Sequence, residues 1–118
     1  MSRYLLDTDI CSYIMKRSHP ALLERIRAVP LSEQAVSIVT VAELMYGVKL
    51  SPKPRQVRET FDAFIRHLEV KDWTLDAAEH YAEIRANLKV RGEMIGANDL
   101  MIAAHARSLD AVLVTNNV

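Results

Sequence analysis

The sequence has little cysteine or glycine, no long apolar segment and no net charge, and each shortage excludes a class of protein. One cysteine, Cys11, excludes an internal disulfide and a cysteine-based zinc cage, and it is typical of a reducing compartment, so we expect a cytoplasmic protein. Three glycines leave no glycine-rich phosphate loop. The longest stretch without a charged residue, 34–42, is far shorter than the ~20 apolar residues of a membrane-spanning helix, and the first residues lack a signal-peptide pattern. We therefore expect no membrane contact.

Charge is balanced overall but uneven along the chain. Basic and acidic residues number 15 each, so no global field indicates a nucleic-acid-binding protein. Residues 49–58, however, contain basic residues and no acidic one; the basic residues are Lys49, Lys53, Arg55 and Arg58. A solvated surface explains such a run, and contact with a polyanion is the alternative. On that alternative these residues are the candidate RNA-binding side chains.

The 118 residues, half of them hydrophobic and a quarter charged, fit one folded domain. Apolar and β-branched runs predict strands at 3–6, 35–39, 68–71 and 111–114. Helical spacing and capping residues predict helices between them, at about 9–16, from 20, at 40–50, after 54, after 74 and at 100–108. This alternation predicts an α/β fold, with a central parallel sheet of about four strands flanked by helices.

Three acidic residues lie where the predicted structure changes: Asp7 after the first strand, Glu43 early in the third helix and Asp99 at the start of the last helix. Each has a structural explanation. Asp7 can cap a helix, Thr40 and Glu43 fit a capping box, and Asn98 can be an N-cap with Asp99 in the first helical turn.

The joint interpretation of the three acids is different. The carboxyl ends of parallel strands and the helix starts beside them form one crevice, so the three side chains are expected to converge there. Buried like charges repel each other and need protonation or a cation. Because none of the three has a Lys or Arg beside it in sequence, the sequence predicts a hard divalent cation, Mg²⁺ or Mn²⁺, held by Asp7, Glu43 and Asp99.

Three other features have weaker chemical interpretations. Asp7-Thr8-Asp9 resembles the start of haloacid-dehalogenase-type phosphatases, but the chain has no later lysine and paired acidic motif of that type. His105, on an apolar helix, is expected to be a hydrogen-bonded core residue rather than a ligand. Cys11 is expected to be a small buried hydrophobe.

Four motifs together resemble the PIN-domain ribonucleases, and most closely the VapC toxins of type II toxin–antitoxin modules. They occur in order along the whole chain, and any one of them alone would be weak. They are Leu6-Asp7-Thr8-Asp9-Ile10; Thr40-Val41-Ala42-Glu43-Leu44 with Tyr46-Gly47; Ile95-Gly96-Ala97-Asn98-Asp99 with Ile102-Ala103-Ala104-His105-Ala106; and Leu113-Val114-Thr115-Asn116-Asn117.

The resemblance implies a three-layer PIN-like domain over 1–118, with Asp7, Glu43 and Asp99 as catalytic metal ligands and Thr115 orienting a water or the substrate. It also implies a homodimer and an antitoxin segment lying across the acidic groove. Many relatives have a fourth acid just after the position of Thr115. Here Asn116 and Asn117 follow, and Asn117 is the candidate for an additional metal or water ligand. Relatives usually continue past Val118, so the resemblance predicts a domain without its usual C-terminal tail.

The function expected from the sequence is therefore a Mg²⁺-dependent endoribonuclease toxin that an antitoxin inhibits. Two alternatives stay open. A catalytically weak PIN-like binding module is favoured by Asn116, Asn117 and the short C-terminus, and a phosphatase with an aspartyl nucleophile is the second alternative.

Overall fold

Four short strands form one parallel sheet in the computed structural model, which describes residues 3–116. The strands are ordered β3-β2-β1-β4, and the predicted parallel sheet is confirmed. They are β1 (Tyr4–Leu6), β2 (Gln34–Ser37), β3 (Glu69–Lys71) and β4 (Val112–Val114). Parallel neighbours require crossover connections, and helices supply them here.

Six helices connect the strands and cover both faces of the sheet. They are α1 (Thr8–Lys16), α2 (Pro20–Arg27), α3 (Ile38–Leu50), α4 (Pro54–Ile65), α5 (Leu75–Val90) and α6 (Ala97–Ser108), with a 3₁₀ turn at Leu31–Glu33. Local signals set several starts as predicted: Asp7 caps α1, Pro20 is at the first position of α2, and Thr74 caps α5. Among the described residues, no helix is long and apolar enough to cross a membrane.

Two helices begin earlier than the sequence predicts. Strand β2 ends at Ser37 and α3 begins at once, because the Ser37 hydroxyl accepts a hydrogen bond from the backbone N–H of Val39. The predicted cap at Thr40 is therefore wrong, since Thr40 lies inside the helix. Helix α6 follows Gly96, so Asn98 is in its first turn rather than at its N-cap. For α3, the Ser37 cap overrides the β-branched pattern of Val39 that suggested a longer strand. For α6, packing overrides the polar pattern that suggested a later start.

The core has two parts, one on each face of the sheet. Successive residues of a strand point to opposite faces, so Leu6 joins the larger cluster with α1, α3 and α4, while Leu5 joins a smaller cluster with Ile102 and Ala106 of α6. Cys11 is fully buried in the larger cluster, as expected. This arrangement confirms the three-layer architecture.

Helix α6 lies between the sheet and α5, and polar contacts hold it there. The indole N–H of Trp73 donates to the backbone oxygen of Met101 at 3.2 Å, and Arg107 pairs with Glu83 of α5. His105 is completely buried and its Nδ1 lies 2.8 Å from the Ser37 hydroxyl, which confirms it as a hydrogen-bonded core residue.

The packing of α4 predicts a large effect of truncating Phe61, which is 2% exposed in the larger cluster. We expect Phe61→Ala to lower the free energy of unfolding by about 3–5 kcal/mol, because it removes buried surface and leaves a cavity. The matched control, Val90→Ala at a side chain that is 87% exposed, should change it by no more than about 0.5 kcal/mol. Urea denaturation measures both, and equal small effects would contradict this account of the core.

Candidate active site

The carboxyl edge of the sheet brings the predicted site segments side by side. Leu6 is in register with Val36 on one side and Val114 on the other, so the residues that follow these strands leave the sheet together. The backbone N–H of Asp7 donates to the Val114 oxygen at 3.1 Å, which places Thr115 next to Asp7 along this edge. This is the crevice in which open α/β sheets bind ligands.

Asp7 is both a structural cap and a buried carboxylate. Asp7 is only 4% exposed, and its Oδ1 accepts a hydrogen bond from the Ile10 backbone N–H at 2.9 Å. The capping role that the sequence suggested is therefore confirmed. It uses one oxygen of the carboxylate, so a second interaction at the other oxygen is compatible with it.

Glu43 does not form the capping box that Thr40 and its spacing suggested. Its Oε1 instead accepts a hydrogen bond from the Thr8 hydroxyl at 2.6 Å, and its Oε2 accepts one from the Asn98 side-chain amide at 2.9 Å. The carboxylate of Glu43 thus connects α3 with the first turns of α1 and α6. Sequence reasoning missed both donors, although Thr8 and Asn98 stand directly beside the acids Asp7 and Asp99 in the quoted motifs.

Asp99 is exposed in the first turn of α6, and its surroundings raise the pKa of its carboxyl group. Partial burial contributes most, followed by the charges of Glu43, Asp7 and Asp9. Acids from two other segments of the chain therefore add to the effect of burial on the pKa of Asp99. Asp9 is an additional member that the sequence analysis left out of the site, although it lies in the Asp7-Thr8-Asp9 motif.

The carboxylates match the donor set of a hard divalent cation, but their side chains stand apart. Within residues 3–116, no three His, Cys, Asp or Glu side chains are close enough to hold one ion as they stand. Mutual repulsion of like charges favours such separation. Within residues 3–116, none of Asp7, Glu43 and Asp99 forms a salt bridge. Each carboxylate oxygen of Glu43 accepts one hydrogen bond and retains a second lone pair that could bind a cation. The residue chemistry therefore fits Mg²⁺ or Mn²⁺, and a shared metal site stays a prediction.

Of the residues after β4, Thr115 lies at the acidic edge and Asn116 faces a different cavity. Thr115 is exposed at the edge beside Asp7. Asn116 lines a cavity of about 480 Å³ with Leu22 and Arg25 of α2. Asn117, the candidate additional ligand, lies outside the described residues.

A groove leads from the acidic edge along α3. It has a volume of about 510 Å³ between α1, α3 and α4. Thr8, Asp9 and Glu43 line one part of it, and Ser51 and Thr60 line another. The groove therefore extends from the carboxylates toward the turn between α3 and α4.

The predicted basic residues lie at and after that turn, and they fall into two kinds. Arg58 donates to Asp62 at 3.0 Å and lies over the Phe61 ring, so its charge is partly balanced. In the described part of the chain, Lys49, Lys53 and Arg55 are exposed and form no salt bridge. These three are the better candidates for contact with a polyanion.

Comparison with known proteins identifies the same family from the whole chain. The family model of the PIN domain matches residues 4–118. Ribonuclease VapC2 of Haemophilus influenzae is 39% identical over 118 residues, which are 100% of this chain and 89% of that protein. The tRNA(fMet)-specific endonuclease VapC of Shigella flexneri is 36% identical over 117 residues, 99% of this chain and 88% of that protein.

Solved structures show the same similarity. The DNA-bound VapBC structure from Salmonella typhimurium superposes with a TM-score of 0.93 at 38% identity, covering 99% of this chain and 88% of that chain. VapBC2 from Rickettsia felis, bound to a DNA fragment from their promoter, gives a TM-score of 0.89 at 36% identity, with coverage of 97% and 86%.

The raised pKa of Asp99 predicts a pH-dependent effect on stability. The folded protein binds this proton more tightly than the unfolded chain, so ionisation of Asp99 destabilises the fold as pH rises through the folded pKa. In the presence of EDTA, we expect Asp99→Asn to raise Tm at pH 7. The gain should vanish below about pH 3, where the carboxyl group is protonated in both states.

Thermal melting between pH 3 and pH 8 measures this effect. Glu79→Gln, at an exposed acid of α5, is the matched control and should show no comparable gain at pH 7. An equal gain in both variants would mean that overall charge, rather than the cluster around Asp99, is responsible.

Proposed function

Because the chain belongs to the PIN-domain family and is similar along its whole length to VapC ribonucleases, we propose that it is a Mg²⁺- or Mn²⁺-dependent endoribonuclease, the toxin of a type II toxin–antitoxin system. The observation that carries the proposal is that Glu43 accepts hydrogen bonds from Thr8 and Asn98, the neighbours of Asp7 and Asp99, so the three acidic segments meet at the carboxyl edge of the sheet. The named relatives are ribonucleases, which favours phosphodiester hydrolysis over the phosphatase alternative.

Asp7, Glu43 and Asp99 are the proposed metal ligands. When bound, Mg²⁺ or Mn²⁺ neutralises charge on a phosphodiester and lowers the pKa of a water that attacks phosphorus. Thr8 and Asn98 hold the Glu43 carboxylate from two sides, so they limit its orientation. The Ile10 N–H holds Asp7 in the same way. Thr115, beside Asp7, is placed to orient a water or an RNA phosphate.

The groove along α3 is the proposed path of the RNA. Ser51 lines the part of the groove toward the turn after α3 and is two residues from both Lys49 and Lys53, so a strand that follows the groove would reach positive charge there. Lys49, Lys53 and Arg55 would then contact phosphates on one side of the cut. RNA with unpaired bases suits such an open groove better than a rigid duplex.

The proposed partner is a cognate antitoxin, with a segment that lies across the acidic groove and blocks it. The structural neighbours are VapBC assemblies, which supports a partner of this kind. A homodimer is proposed as well, because α3 exposes apolar side chains outside the core. These are Ile38, Met45, Tyr46 and Leu50, of which Tyr46 and Leu50 are each 66% exposed. An exposed apolar face of this extent is typical of a protein interface.

Neutral substitutions at the three acids test the catalytic site. We expect Asp7→Asn, Glu43→Gln and Asp99→Asn each to reduce RNA cleavage by about 100-fold or more, since loss of a partner that only orients a metal ligand already costs about 10- to 100-fold. Asn at position 7 remains a good N-cap, so the fold should persist. Gel assays with labelled RNA and Mg²⁺ measure cleavage, circular dichroism checks folding, and Glu79→Gln is the control.

Three outcomes of this assay separate the alternatives. Wild-type cleavage by Asp99→Asn at saturating Mg²⁺ would remove that residue from the site. Hydrolysis of a phosphomonoester such as p-nitrophenyl phosphate, without RNA cleavage, would favour the phosphatase alternative. Folded wild-type protein that cleaves neither substrate with Mg²⁺ or Mn²⁺ would favour a binding module.

The basic turn is tested by the salt dependence of RNA binding. In Ca²⁺ or with the Asp99→Asn background, so that RNA stays intact, the pair Lys49→Gln and Lys53→Gln should reduce the slope of log K against log salt by about 1.4, at about 0.7 for each phosphate contact. Lys89→Gln with Arg91→Gln, near the end of α5, removes the same charge elsewhere. Fluorescence anisotropy at several salt concentrations measures RNA binding by both variant pairs. If the two pairs give the same slope of log K against log salt, the basic turn lies outside the RNA path.

A further inference from the structure

The hydrogen bond between His105 and Ser37 has no role in the chemistry described so far. Both residues are completely buried, and Nδ1 of His105 lies 2.8 Å from the Ser37 hydroxyl although 68 positions separate them in sequence. Nε2 has no partner with hydrogen-bond geometry among the described residues. The Ser37 bond and the neighbouring backbone of Asp72 both act on this imidazole ring, and the Ser37 bond is the contact that connects it to the start of α3.

The two residues stand on the helices that carry two of the proposed metal ligands. Ser37 is the N-cap of α3, and Glu43 follows it by about two turns. His105 is in α6, and Asp99 precedes it by about two turns. Two hydrogen bonds therefore connect α3 with α6. One joins His105 to Ser37 inside the core, and the other joins Asn98 to Glu43 at the site.

The charges around His105 are compatible with a neutral, permanent contact. Burial lowers the pKa of the imidazole, and Lys71 at the end of β3 acts in the same direction. The backbone and the charge of Asp72 oppose this lowering. A neutral ring can form a hydrogen bond with a serine hydroxyl without placing an unpaired charge in the core.

We propose that His105 is a positioning residue for the carboxylate site: its bond to Ser37 sets the register of α6 against α3 and so the separation of Asp99 from Glu43. The inference rests on the proposed function for its consequence in metal binding. The register itself does not require the proposed metal, because both helix-to-helix bonds join protein groups.

Substitutions that separate the hydrogen bond from packing test the proposal. His105→Phe keeps a ring and loses the bond, whereas His105→Asn loses the ring and keeps a polar atom near the position of Nδ1. Ser37→Ala removes the bond from the other side together with the cap of α3. Thr74→Ala is its matched control, because Thr74 caps α5 through the Ala77 N–H and has no bond to α6.

Two measurements report on the site independently of RNA cleavage. The side-chain amide signals of Asn98 in ¹⁵N NMR spectra of metal-free protein report its bond to Glu43, with the exposed Asn87 as reference. Calorimetric titration with Mn²⁺ reports metal affinity. Thermal melting is recorded for every variant, so that loss of stability is known separately.

We expect His105→Phe and Ser37→Ala to move the Asn98 amide signals toward those of Asn87 and to weaken Mn²⁺ binding by about 10- to 100-fold. His105→Asn and Thr74→Ala should retain the wild-type Asn98 signals and affinity even where Tm falls. If His105→Phe does not fold, Ser37→Ala and Thr74→Ala decide the question.

The proposal is overturned if the Asn98 signals and Mn²⁺ affinity follow Tm in all variants, since His105 would then only stabilise the core. If wild-type protein binds no Mn²⁺ while the Asn98 signals move as expected, the proposed metal site fails and the positioning role of His105 stands. Wild-type Asn98 signals in both His105→Phe and Ser37→Ala would overturn the positioning role alone.

Discussion

The repulsion between acidic side chains is the constraint around which this fold is arranged. Asp7, Glu43 and Asp99 come from separate segments, and the pKa of Asp99 is raised by partial burial and then by the negative charges of Glu43, Asp7 and Asp9. Neutral donors hold two of these carboxylates, since the Ile10 N–H donates to Asp7 and the side chains of Thr8 and Asn98 donate to Glu43. Within residues 3–116, neither carboxylate forms a salt bridge. Hydrogen bonds from neutral donors stabilise an ionised carboxylate and leave its negative charge in place. The carboxyl edge of the sheet therefore keeps the negative charge that binding of a cation requires.

A parallel sheet with direct strand-to-helix transitions explains how so few residues achieve this arrangement. The carboxyl ends of β1, β2 and β4 lie at one edge, and α1 and α3 start there without long loops. Helix α6 arrives at the same edge from the other face of the sheet. Its position depends on α5, Trp73 and the buried contact between His105 and Ser37. The geometry of the edge is thus coupled to core packing on both faces.

Under the proposed function, one surface serves both activity and inhibition. The groove along α3 extends from the carboxylates to Ser51, which lies between Lys49 and Lys53 in sequence, so an RNA strand and an antitoxin segment would compete for the same residues. The basic residues near the turn would attract phosphates and the carboxylates would attract a cation, so charge of each sign has a separate role. This accounts for a chain with zero net charge that still belongs to a family of ribonucleases.

The limits of sequence-based prediction follow the range of the interactions involved. The cap at Asp7, the helix start after Thr74, the positions of the four strand segments and the first-turn position of Asp99 depend on neighbours within a few residues, so the sequence alone determined them. The partners of Glu43 are 35 and 55 positions away, and the influence of Asp9 on Asp99 likewise joins distant segments. Local spacing even suggested the wrong partner, Thr40, because a capping box and a site carboxylate share the same pattern. Only the tertiary structure decided between them, since it brings α1, α3 and α6 to one edge and so determines which donors Glu43 can reach.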